Sequence, residues 1–157
     1  MDKSKWKTYG LFILITEAIG AVAGLLTSLG MSAYEAVEKP ALTPPPIVFP
    51  IVWTILYALM GVSAAKIWLS EESGERARGL RLYGVQLAMN FLWSIFFFDF
   101  QAYGFSFFWL LLLLLAIILM TISFYKTDKV AGYLQIPYVL WVSFAAYLNC
   151  MVWLLNK

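Results

Sequence analysis

Five long apolar stretches constrain the fold of this chain more than any other feature. They run over about residues 9–30, 46–68, 82–98, 104–125 and 131–155, with short charged segments between them. A helix needs roughly 20 apolar residues to cross a hydrocarbon core about 30 Å thick. A β-barrel would instead show alternating segments of about ten residues, and no other structure can span a bilayer. The sequence therefore predicts an all-α integral membrane protein, a bundle of five transmembrane helices.

The composition supports this class. Of the 157 residues, 62% are hydrophobic and 13% are charged, whereas soluble domains average about 45–50% apolar and 25% charged residues. The spans leave no room for a soluble domain, so we expect a single transmembrane domain over residues 1–157. The first stretch is longer than the roughly 7–15 apolar residues of a signal-peptide core, and we interpret it as a retained span.

Lysine and arginine give the expected orientation. The N-terminus, the second loop and the fourth loop share one side in a five-span topology, and the other side has only Lys39 and Lys157. Because basic loops stay in the cytoplasm, we predict a bacterial cell-membrane protein with a cytoplasmic N-terminus and an external C-terminus. Short basic loops provide no face for nucleic acid. The basic residues of the cytoplasmic side are Lys3, Lys5, Lys7, Arg76, Arg78, Arg81, Lys126 and Lys129.

The side chains available for catalysis are few. The chain has no histidine and one cysteine, Cys150, which excludes a Ser-His nucleophile pair, histidine ligation of zinc or haem, and an intrachain disulfide. Most carboxylates fall in predicted loops, so we predict no metal site and no obligatory cofactor. Glu17 is the acid that lies well inside a span. Its carboxyl either marks a functional path or is hydrogen-bonded to a neighbouring helix.

Three tryptophans, Trp53, Trp93 and Trp141, lie deeper in the predicted spans than the other four, which are typical of the membrane interface. Each has companions three, four or seven residues away, on the same helix face. Such a stripe is typical of ordinary packing as well as of a ligand pocket. The companions are Tyr57 for Trp53, Asn90 and Phe97 for Trp93, and Phe144, Ala145 and Leu148 for Trp141.

Three motifs resemble those of one known membrane protein family. Residues 34–61 read YEAVEKPALTPPPIVFPIVWTILYALMG, residues 86–94 read QLAMNFLWS, and residues 137–149 read PYVLWVSFAAYLN. In this order they resemble the translocator protein family, also called tryptophan-rich sensory proteins or peripheral-type benzodiazepine receptors. The resemblance covers essentially the whole chain.

The resemblance implies a five-helix bundle, usually dimeric, with a cavity beneath the loop that joins the first two helices. Members bind porphyrins and other tetrapyrroles, as well as synthetic isoquinoline carboxamide and benzodiazepine-type ligands. The resemblance also implies that the loop at residues 31–45 covers the cavity. The ligand-binding residues carried over by motif are Tyr34, Trp53, Tyr57, Asn90, Trp93, Trp141, Phe144 and Ala145.

The loop departs from the family pattern at one position. The family commonly has a tryptophan shortly after Lys-Pro, where this chain has Leu42. Pro44, Pro45 and Pro46 disfavour helix in the residue before each, so we expect a stiff lid and a helix that starts near Pro46. Pro50 lies deeper and is expected to kink the second span.

Two further features concern oligomerisation and sterols. Gly20 and Gly24 form a small-xxx-small pattern, which suits either a dimer contact or packing inside one bundle. The expected homodimer rests on the resemblance alone. Tyr147 and Lys157 lie too far apart for the proposed cholesterol motif at the end of the last span.

Three functions fit the sequence. The first and favoured one is a membrane receptor or carrier that binds tetrapyrroles and other flat hydrophobic ligands. The second is an enzyme that degrades porphyrin in a light- and oxygen-dependent reaction, with Trp53 and Trp141 as its redox-active groups. The third is a structural membrane protein whose tryptophans only pack.

Overall fold

The computed structural model describes residues 3–157, and Met1 and Asp2 lie outside the described residues. Helices account for nearly all of this part of the chain, and it contains no strand. The elements are α1 (Lys3–Ser28), α2 (Met31–Ala36), α3 (Val48–Trp68), α4 (Gly74–Ser94), a π-helical turn (Ile95–Asp99), α5 (Tyr103–Thr127), α6 (Lys129–Tyr133) and α7 (Ile136–Leu155).

Four helical segments are long and apolar enough to cross a membrane. The remaining predicted span, residues 82–98, is helical in α4 and the π-turn, but it does not belong to this set. Helix α4 carries Arg78, Arg81, Gln86 and Asn90, which lower its hydropathy. An all-helical, multi-pass membrane protein is therefore confirmed, whereas the count of five spans is not. The four segments are Lys3–Ser28, Val48–Trp68, Tyr103–Thr127 and Lys129–Leu155.

The proline-rich segment ends where α3 begins. Helix α3 starts at Val48, whose N–H donates to the carbonyl oxygen of Pro45 at 3.0 Å. Pro50 is thus the third residue of α3, in the first turn, where N–H groups have no partner within the helix. The predicted kink assumed a deeper position for Pro50, whereas in the first turn proline removes no helical hydrogen bond.

The segment expected to be an extended loop contains the short helix α2. Tyr34 of α2 packs edge-on against Phe98, with ring centroids 5.3 Å apart. Further along, the N–H of Glu38 donates to Asn156 Oδ1 at 3.0 Å, and Asn156 Nδ2 donates to the Glu38 carbonyl oxygen at 2.8 Å. These contacts fix the segment to the π-turn and to the end of α7.

Close helix approach occurs where α1 crosses α3. The ring of Tyr57 occupies the space that a Cβ at Gly20 would need, and a Cβ at Gly61 would lie 2.7 Å from the Cα of Ile13. A Cβ at Gly24 would meet nothing within 4 Å. Gly20 therefore serves packing inside one bundle, which is one of the two interpretations of the small-residue pattern. Gly24 has no neighbour of this kind among residues 3–157.

We expect Gly61→Ala to destabilise the protein, because the added methyl group forces α1 and α3 apart. Overpacking of this kind costs about 1–3 kcal/mol. Gly10→Ala is the matched control, because a Cβ there meets no atom of residues 3–157 within 4 Å. It should leave stability unchanged or slightly raised, since alanine favours helix over glycine. Thermal unfolding in detergent, followed by circular dichroism, measures both. Equal melting temperatures for the two variants would contradict the close approach at Gly61.

Candidate functional site

A buried hydroxyl joins α4 to α7 in the bundle interior. The Tyr138 hydroxyl donates to Gln86 Oε1 at 2.6 Å and accepts from Asn90 Nδ2 at 2.9 Å. Gln86 Nε2 donates in turn to the carbonyl oxygen of Tyr83 at 3.1 Å. Gln86, Asn90 and Tyr138 are all fully buried. The amide N–H of Asn90 is therefore already used to hold α7, while Asn90 Oδ1 has no partner among the described residues.

The indole of Trp93 is held in the same way. Its Nε1 donates to Asn149 Oδ1 at 3.0 Å, and Asn149 Nδ2 donates to the carbonyl oxygen of Tyr103 at 2.9 Å. This pair of bonds connects α4, α7 and the start of α5. Trp93 therefore offers a ring face, but no free N–H, to a ligand.

A set of aromatic rings lies where α3 faces α7, and we call it the α3–α7 seam. Trp53 meets Trp141 edge-to-face, with ring centroids 6.5 Å apart, and meets Tyr138 at 6.2 Å. On its own helix Trp53 stacks on Tyr57 at 5.5 Å. Offset and edge contacts are the favoured geometries of aromatic pairs. The seam consists of Phe49, Trp53, Tyr57, Tyr138, Trp141 and Phe144.

An apolar groove of about 510 Å³ runs between α3 and α7 beside the seam. Ile55 and Leu140 on its walls are exposed at the outer surface of the bundle, so the groove faces the lipid. Trp141 also lines it, and the Nε1 of Trp141 is buried without a hydrogen-bond partner in residues 3–157. The groove thus has apolar walls, one of which belongs to a tryptophan whose indole N–H is buried. Its lining residues are Val52, Ile55, Leu56, Pro137, Leu140, Trp141 and Phe144.

The loop residue Tyr34 lies at a different place. Its ring contacts Phe97 and Phe98, and Lys39 Nζ lies 4.9 Å from the ring centroid. Burial and the neighbouring Tyr103 raise the pKa of Tyr34 above its usual value. Its hydroxyl therefore stays neutral at physiological pH and remains able to donate a hydrogen bond.

Six of the eight predicted ligand-binding residues thus fall into two groups. Trp53, Tyr57, Trp141 and Phe144 belong to the α3–α7 seam, whereas Tyr34 and Trp93 meet around Phe97. Asn90 touches the seam through Tyr138. Ala145 is half-buried against the core.

The remaining predicted positions lie outside these contacts. Leu42 is 67% exposed on the loop. Glu17 is half-buried on α1 and forms no hydrogen bond or ion pair with residues 3–157. Among the described residues, the Glu17 carboxyl therefore has no hydrogen-bond partner on a neighbouring helix.

Sequence reasoning missed three polar residues that organise the interior, namely Gln86, Tyr138 and Asn149. A signal for one of them, Gln86, was present. Gln86 and Asn90 are four residues apart in an otherwise apolar stretch, so they share one helix face. Amides of this kind hydrogen-bond across helices inside a membrane. The partner on α7 could not be identified without the fold.

Comparisons with known proteins identify relatives over nearly the whole chain. The TspO/MBR family model matches residues 12–154. The tryptophan-rich protein TspO of Chlorobaculum tepidum is 36% identical over 154 residues, covering 95% of this chain and 96% of that protein. Protein CrtK of Rhodobacter capsulatus is 36% identical over 140 residues, with 88% and 87% covered. The human translocator protein is 33% identical over 126 residues, with 79% and 75% covered.

We expect Tyr138→Phe to lower the stability of the bundle. The change leaves Gln86 Oε1 and Asn90 Nδ2 buried without partners, and an unsatisfied buried polar group costs about 1–3 kcal/mol. Tyr147→Phe is the matched control on the same helix, because Tyr147 is 39% exposed. Melting temperatures of the purified variants test this, and a loss as large for Tyr147→Phe as for Tyr138→Phe would contradict a structural role for the bridge.

Proposed function

This chain belongs to the TspO/MBR family, and we propose that it is a membrane receptor or carrier for tetrapyrroles and other flat hydrophobic ligands. The ligand would lie against the α3–α7 seam and enter sideways from the lipid through the groove. The observation that carries this proposal is that Trp141, which lines an apolar groove, has a buried Nε1 without a hydrogen-bond partner in residues 3–157. A ligand with a hydrogen-bond acceptor would satisfy that group.

The physical fit concerns shape and polarity. Small-molecule sites are mainly apolar, with a few polar groups that fix orientation. At the seam, Trp53 and Trp141 would supply ring faces and edges, and Trp141 would also supply the directional donor. The partnerless Oδ1 of Asn90 is a second polar group, which lies next to Tyr138. Aromatic contacts add about 0.5–1.5 kcal/mol beyond the burial of area.

The same proposal includes a membrane topology and an oligomeric state. We propose five spans, with α4 and the π-turn as the third, which places the basic segments on the cytoplasmic side of a bacterial cell membrane. We also propose a homodimer. The outer face of α1 supports it, because Leu14 and Leu25 are more than 60% exposed and no atom of residues 3–157 lies within 4 Å of a Cβ at Gly24.

The first test is a titration of protoporphyrin into the purified protein, followed by the porphyrin absorbance band. We expect saturable binding that Trp141→Phe weakens by roughly two- to tenfold in Kd, the equivalent of about 0.5–1.5 kcal/mol. Trp6→Phe is the matched control, because Trp6 is 63% exposed near the start of α1.

Absence of saturable binding by the unmodified protein would contradict the tetrapyrrole proposal. Binding that Trp6→Phe weakens as much as Trp141→Phe would leave tetrapyrrole binding in place but contradict the position of the site.

A second test concerns the end of the loop at residues 31–45 as a lid over the start of α3, where Phe49 contacts Trp141 of the seam. Its prolines restrict the conformations of the loop when no ligand is bound. Replacing them with alanine should therefore raise the free-energy cost of ordering the lid, by about 0.4–1 kcal/mol for each proline. We expect the triple change of Pro44, Pro45 and Pro46 to alanine to weaken protoporphyrin binding more than it lowers the melting temperature. The control Ala41→Ser lies at an exposed loop position. A lower melting temperature with unchanged affinity would show that the prolines serve only to start α3.

A further inference from the structure

A second groove lies on the outer surface, between the end of α5 and the junction of α6 with α7. Its volume is about 200 Å³. It shares no lining residue with the groove between α3 and α7. A Cβ at Gly132 would lie 2.6 Å from the Cβ of Tyr125, so glycine allows α6 to approach α5 here. The groove is lined by Thr121, Ile122, Tyr125, Gly132, Tyr133 and Ile136.

Two tyrosines form the walls of this groove. The rings of Tyr125 and Tyr133 meet edge-to-face with centroids 5.6 Å apart, and they are 41% and 56% exposed. Ile122 and Ile136 are exposed beside them. Tyrosine combines an apolar ring with a polar tip, which suits the boundary between acyl chains and headgroups.

Two lysines stand at one end of the groove. Lys126 follows Ile122 by one turn of α5, and Lys129 precedes Tyr133 by one turn of α6, so each lies on the same helix face as a lining residue. Both lysines are exposed and form no ion pair within residues 3–157. Asp128, which lies between them, accepts from the N–H groups of Val130 and Ala131 at 2.9 and 3.2 Å and so caps α6.

We infer that this groove binds an anionic phospholipid. One acyl chain lies along the apolar floor, and the phosphate oxygens accept hydrogen bonds from the ammonium groups of Lys126 and Lys129. The chemistry is complementary at both ends, because the Asp128 carboxylate already serves as a helix cap and forms no ion pair with either ammonium group within residues 3–157. Basic residues next to a membrane span attract anionic lipid headgroups. The site is independent of any tetrapyrrole ligand.

Native mass spectrometry of the full chain in detergent tests this by counting bound lipids during titration with phosphatidylglycerol or phosphatidylcholine. The unmodified protein should bind phosphatidylglycerol at least about fivefold more tightly, since each basic residue near the surface favours anionic lipid. The double variant Lys126→Gln/Lys129→Gln should lose this preference. Lys3→Gln/Lys5→Gln, which removes two basic residues from the start of α1, should retain it.

A third variant tests the groove itself. Ile122→Trp adds bulk at a lipid-exposed wall, where a larger side chain can be accommodated, and it should weaken binding of phosphatidylglycerol while leaving the melting temperature unchanged. Three results would overturn the inference: equal binding of the two lipids, an equal loss in the Lys3/Lys5 control, or unchanged binding in Ile122→Trp. Displacement of phosphatidylglycerol by a neutral sterol would also overturn it, since the occupant would then be chosen by shape alone.

Discussion

The architecture depends on one constraint of the bilayer, namely that a buried polar group must find its hydrogen-bond partner inside the protein. Tyr138 meets this constraint for two helices at once, since its hydroxyl donates to Gln86 and accepts from Asn90. Further along α7, Asn149 accepts a hydrogen bond from the Trp93 indole and donates one to the carbonyl oxygen of Tyr103. Shape alone would allow apolar helices to slide or rotate against one another. These directional bonds fix the rotation of α7 against α4.

The same constraint divides three of the tryptophans by chemical role. The indole N–H groups of Trp93 and Trp109 are bonded to protein oxygens, at 3.0 and 2.9 Å. The N–H of Trp141 is buried without such a partner and lies beside a lipid-facing groove. A buried donor left unpaired carries a desolvation cost. A ligand with an acceptor would remove that cost, which is why the proposed site is at the α3–α7 seam.

The sequence predicted the class of fold, because that class follows from local hydrophobicity and helical spacing. It could not predict which tryptophan N–H groups were free, since the partners of Trp93 and Trp109 lie on other helices. Nor could it separate Gly20 from Gly24, as the difference is the ring of Tyr57 across the α1–α3 contact. The prediction at Pro50 depended on the assumed helix start. With α3 beginning at Val48, the same proline sits where a helix tolerates it.

The central claim is that the uncommitted indole of Trp141, and not the bonded indole of Trp93, meets the ligand. Nuclear magnetic resonance of protein carrying ¹⁵N-labelled tryptophan resolves the indole N–H signals of the seven tryptophans during a titration with protoporphyrin. The account predicts that the signal of Trp141 moves most, while those of Trp93 and Trp109 stay near their positions in the free protein. Movement of the Trp93 signal with an unchanged Trp141 signal would contradict it and would place the ligand beneath the loop, next to Tyr34.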